Sequence, residues 1–139
     1  MSVGYVQLAN GTPLPEDHPE QPFKVILVAD RLVGLDRRTE IAAWLADSNC
    51  LYLMAWGQDC HGWQDSVNLA NLQKYEFGKI PDNALIITTS HEHETLDEVF
   101  WYARNTAIHP CATLEQTLIL HLSDVSNEEA LRKLYSEAV

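Results

Sequence analysis

Basic residues are scarce in this chain. Lysine and arginine number nine against 20 aspartates and glutamates, a formal net charge of −11 over 139 residues. Phosphate backbones and anionic lipid surfaces repel such a protein, so neither nucleic acid nor a membrane is an expected partner. A basic protein, a divalent cation or a cationic ligand remains compatible, as does the simpler reading that the charge keeps the protein soluble. Long apolar runs are also missing: none approaches the ~20 residues that span a bilayer. Residues 1–11 lack both the basic start and the apolar stretch of a signal peptide. Cysteine is limited to Cys50, Cys60 and Cys111, an odd count without CxxC spacing. A disulfide framework is therefore not expected, and a reducing cytoplasm is the expected compartment.

Several phosphate-handling and catalytic motifs are absent. No GxGxxG follows the first apolar run, no GxxxxGK[ST] occurs, and there is no GxSxG elbow. A phosphoacceptor receiver domain would carry an acidic pair after its first strand and a lysine after a late one. Asp30 stands alone, and the fourth run ends in His121-Leu122-Ser123-Asp124. Acidic loops also offset the positive helix N-termini that bind phosphate.

What the sequence does contain is a repeating pattern. Residues 24–29 (KVILVA), 51–56 (LYLMAW), 84–89 (ALIITT) and 116–122 (QTLILHL) are continuous apolar runs, the signature of strands covered on both faces. Helical spacing follows each: residues 37–46 after an Asp36 N-cap, and 67–75 after Asp65 or Ser66. Two capping boxes, Thr95 with Glu98 and Ser126 with Glu129, open the last two helices. Residues 57–64 read as a loop.

Strand–helix alternation of this kind predicts a three-layer α/β/α domain with a small, mostly parallel four-stranded sheet, flavodoxin-like or Rossmann-like. Core strand order 2-1-3-4 is the flavodoxin-like expectation. Residues 1–23, punctuated by Asn10-Gly11, Pro13, Pro15 and Pro22, read as an N-terminal arm with an edge strand at 6–8, and residues 24–139 as a single domain.

Ligands of open parallel sheets bind beyond the carboxyl ends of the strands. That rule selects four loops, and they are dense in ionisable groups: Asp30 and Arg31; Gln58, Asp59, Cys60, His61 and Trp63; Ser90 to Glu94; and Ser123 with Asp124. His91 and His93 are two apart and point the same way in extended backbone. With His61 they make a candidate zinc site, to which Asp59 or Cys60 could add a ligand. The alternative is that these are exposed loop histidines. Cys60 is a candidate nucleophile, with His91 or His93 as base, although nearby carboxylates oppose thiolate formation. Asp59 and Asp30 are the remaining candidate catalytic groups.

Trp44, Trp56, Trp63 and Trp101 are many tryptophans for this length. Trp63 in its loop, and Trp101 with Tyr102 turned away from the core-facing Phe100, are candidate anchors for a protein partner or for self-association.

The stretches WQDSVNLANL (63–72), TTSHEHETLDEVFW (88–101) and ILHLSD (119–124) are similar to small bacterial α/β domains of unknown function. The resemblance covers roughly half the chain and implies no activity, cofactor or site residue. Two functional expectations follow from the residues: a non-enzymatic protein-binding or accessory domain, and, as its alternative, a zinc-dependent hydrolase.

Overall fold

A computed structural model describes residues 2–139. Five strands form one sheet: β1 (Ser2–Leu8), β2 (Phe23–Ala29), β3 (Cys50–Gly57), β4 (Ile87–Ser90) and β5 (Gln116–Leu122). All pairings are parallel, and the spatial order is β1-β5-β2-β3-β4. The helices are α1 (Leu35–Asp47), α2 (Cys60–Lys74), α3 (Leu96–Asn105) and α4 (Glu128–Glu137).

Side chains alternate across the sheet as the period of two requires. Val25, Leu27 and Ala29 of β2 pack beneath α1 and α2, with Ile41, Leu45, Trp63 and Val67. Ile26 and Val28 pack on the opposite face against Val99 and Phe100 of α3 and Leu131 and Tyr135 of α4. Both faces are covered, which gives the three-layer α/β/α arrangement expected from the uninterrupted apolar runs.

Several local expectations need correction. The core order is β5-β2-β3-β4 rather than 2-1-3-4, because the last core strand returns past β3 and β2 and inserts beside β1. The edge strand is longer than residues 6–8: β1 pairs with β5 along seven residues, Ser2 to Leu8. The run at 84–89 is only partly strand, since Asp82–Ala84 forms a 3-10 turn and β4 starts at Ile87.

Helix starts differ as well. Gly34, not Asp36, is the N-cap of α1. Helix α2 begins at Cys60, so residues 60–64 are helical and the expected loop is short. Asn127 caps α4 without a side-chain bond, so the Ser126 box does not form. The Thr95–Glu98 box does form, with both reciprocal hydrogen bonds present.

No helix of the described residues is long and apolar enough to cross a membrane.

Candidate functional site

Two crevices open at the carboxyl edge of the sheet. The helices that follow β2 and β5, α1 and α4, lie on opposite faces, so the chain diverges between these adjacent strands. The same holds for β3 and β4, followed by α2 and α3. Such divergence leaves an uncovered gap at the strand ends, where ligands of open α/β sheets bind.

The first crevice holds a chain of three polar groups. His121, at the end of β5, bonds Asp30 beyond β2 through Nε2 at 2.5 Å. Its Nδ1 lies 2.7 Å from the Tyr5 hydroxyl of β1. A carboxylate can only accept, so Nε2 carries a proton. The Asn127 N–H donates to the Tyr5 oxygen at 3.0 Å. The Tyr5 hydroxyl and Nδ1 share the remaining hydrogen bond, so every member of the chain is partnered. The imidazole is buried at 3% side-chain exposure, whereas Asp30 is 47% exposed, so the carboxylate is the accessible end.

Tyr5→Phe removes the middle donor of this chain and should cost about 1 kcal/mol in urea unfolding. A double-mutant cycle with Asp30→Asn should show non-additivity transmitted through His121. Strict additivity would mean that the three groups do not act together.

The second crevice repeats this grammar twice. His61, in the first turn of α2, bonds Ser90 Oγ through Nδ1 and Glu92 through Nε2, both at 2.8 Å. The His61 hydrogen bond, helped by the charges of His93 and His61, holds the exposed Glu92 carboxyl below the usual carboxylate range. His91 is buried and bonds Thr89 through Nε2 at 2.8 Å and Glu94 through Nδ1. It also meets the Tyr102 ring edge-on at 5.0 Å between centroids. Tyr102 in turn bonds the Tyr52 hydroxyl at 2.6 Å. Burial, followed by the Tyr102 hydroxyl, pushes the Tyr52 phenol above its ordinary value.

Between the crevices lies an open cleft of about 510 Å³, whose lining includes Asp30, Trp56, Gln58, Asp59, Glu92 and Glu94. Trp56 is fixed by its indole N–H, which donates to the Glu94 carbonyl at 2.8 Å. Asp59 pairs with Arg38 of α1. Gly62 makes room for that pair, since a Cβ there would overlap both partners. Each of the four carboxylates is therefore braced from behind by a basic residue: Asp30 by His121, Asp59 by Arg38, Glu92 by His61 and Glu94 by His91.

The sequence candidates divide among these places. His61 and His91 belong to separate hydrogen-bonded triples, and His93 is 91% exposed with Glu92 at 3.8 Å. Among the described residues no group of three or more His, Cys, Asp or Glu is arranged to hold a metal ion. Cys60 is buried at the start of α2, in the core with Trp63 and Val67, and its thiol faces that core rather than the cleft. Trp63 is a correction: it lies in α2, not in a loop, and is 1% exposed. Trp101 is 49% exposed, and Tyr102 is half-buried against His91.

Tyr5, Arg38 and Trp56 are site residues that the sequence reading did not single out. Tyr5 lay one residue before the strand expected at 6–8, and the alternation Val3, Tyr5, Gln7 was the signal available.

Fold and cleft together define a small three-layer α/β/α domain with a polar cleft at the carboxyl edge of an all-parallel sheet. Residues 3–138 match the family described as "Domain of unknown function (DUF7684)", and the chain belongs to that family. No curated protein and no solved structure matches it.

Proposed function

We propose that this protein is a binding module whose carboxyl-edge cleft receives a basic segment of a partner protein. The observation that carries the reading is the set of four carboxylates, each braced from behind, around one open cleft. Arg38 is the only permanent cation among the bracing groups. Braced acceptors do not have to be ordered on binding, which lowers the entropic cost. The half-buried Trp56 adds an aromatic wall of the kind that attracts lysine and arginine. Exposed aliphatics flank the same edge: Leu32 and Leu35 after β2, and Val125 after β5. Their loops are joined by the Arg31–Asp124 pair at 3.5 Å. An acidic cleft beside apolar side chains suits a basic, partly apolar protein segment better than a small inorganic cation.

Calorimetric titration with an oligolysine peptide tests the reading. Saturable binding is expected, weakened several-fold by Asp30→Asn and again by Glu94→Gln, and diminished by added salt. Neutralising Glu16 and Asp17 in the arm should have little effect. If the arm variant weakens binding as much as the cleft variants do, the attraction is one of net charge and the cleft is not the site.

A further inference from the structure

The opposite, amino edge of the sheet carries a second concavity with contrary chemistry. It is a pocket of about 340 Å³ between the start of β2, the end of α3 and the connection to β5. Its polar lining includes Lys24, Arg104 and Asn105, and its apolar lining includes Ile108, Ala112 and Leu114.

Lys24 is unusual for its residue type. It occupies the second position of a central strand and is 3% exposed, whereas lysine is almost never fully buried unless paired. Its ammonium donates to the Ala103 carbonyl near the end of α3. An ammonium has three donors, and no carboxylate of the described residues lies in ion-pair reach of it. Burial, and then the neighbouring Arg104 charge, lower its pKa from the ordinary lysine value.

Arg104 is the exception among the arginines. Arg31, Arg37, Arg38 and Arg132 each pair with a carboxylate. Arg104 instead donates through one nitrogen to the Tyr135 and Ser136 carbonyls, at 2.9 and 3.0 Å, and lies over the Tyr135 ring. Two cations without a carboxylate partner thus share one pocket, in a chain where acids outnumber bases by more than two to one. The negative ends of α3 and α4 account for some of their donors and part of their charge, and leave both cations without a full counter-charge.

We propose that this pocket is a binding site for a small aliphatic carboxylate, whose head is received by Lys24 and Arg104 and whose carbon chain lies against Ile108, Ala112 and Leu114. A carboxylate supplies the missing counter-charge and accepts from both cations. The volume sits at the small end of ligand pockets, which limits the carbon chain to a few atoms. The net charge of −11 favours a monoanion over a multiply charged phosphate.

Amide-resolved NMR titration with sodium butyrate tests the site directly. Saturable shifts are expected at the amides of Ala107, Ile108, Ala112 and Leu114, with none at the distant Gln58 or Glu92. Lys24→Met keeps the length of the side chain and should weaken binding about tenfold or more, since a charge-assisted hydrogen bond is lost. Ile108→Asp, at an exposed rim position, should do likewise by repulsion, and it decides the matter if the Lys24 variant fails to fold. Absence of saturable shifts overturns the proposal. So do equal shifts with sodium chloride, which would mark a general ion effect, or with butanol, which would mark apolar contact alone. Butyrate binding undiminished in Ile108→Asp does the same.

Discussion

Trp63→Ala is expected to lower the unfolding free energy by about 4 kcal/mol. The indole is the largest fully buried side chain, seated between α2 and the sheet in the core with Cys60 and Val67. Truncation removes a large apolar area and leaves a cavity whose walls are rigid strands and helices, so little collapse can fill it. A domain of this size has about 5–15 kcal/mol in total, so the variant should sit close to its unfolding threshold at physiological temperature. The midpoint of urea denaturation measures the effect. Trp101→Ala, at a half-exposed position on α3, is the contrast and should change stability by less than about 0.5 kcal/mol. Similar losses for the two variants would contradict the packing described here.

Gly57→Ala should be nearly as damaging, by roughly 3 kcal/mol, through backbone rather than side-chain contacts. Gly57 ends β3 with φ at 100°, a conformation L side chains rarely adopt. A Cβ there would overlap the Ala29 carbonyl oxygen and lie 3.0 Å from its carbon. The neighbouring Gln58 N–H donates to that same carbonyl at 2.8 Å, so the two strand ends are locked together at the cleft floor. Neither strand can move away without breaking this bond. Thermal unfolding gives the first readout. The second is a loss of oligolysine affinity, since Gly57 and Gln58 both line the cleft. A stability loss under about 1 kcal/mol would show that the strand ends are free to shift.

Much of the fold was legible because buried parallel strands and amphipathic helices write themselves locally. KVILVA and QTLILHL must be covered on both faces wherever they sit, and Thr95 with Glu98 forms its box from four adjacent residues. Strand order was not legible, because nothing within β5 records that it lies between β1 and β2 rather than beside β4. The start of α2 is hidden in the sequence for a physical reason. Asp59 enters the helix in left-handed conformation, makes no side-chain cap, and spends its carboxylate on Arg38. The usual N-terminal signature is therefore missing, and Gly57 and Gly62 imitate a loop.

The site was half legible. The rule for parallel sheets selected Asp30, Asp59, His61, Glu92 and Glu94 without any structure. It gave no means of knowing that His61, His91 and His121 each turn to a different carboxylate. Proximity in sequence grouped His91 with His93; the fold separates them, burying one and exposing the other. Tyr5 and Arg38 come from segments distant in sequence, and only tertiary contact recruits them.

The placement of β5 has a consequence for biosynthesis. Strand β1 leaves the ribosome before the other four strands, yet its sheet partner is β5, more than a hundred residues later. Until residue 122 has emerged, Ser2 to Leu8 lack their sheet partner, and one side of β2 is an open, apolar edge. Such edges recruit other chains. The sheet therefore cannot close before β5 is available to pair with β1 on one side and β2 on the other. That pairing also creates the crevice in which Tyr5, His121 and Asp30 meet, so no nascent fragment short of β5 can carry the first half of the cleft.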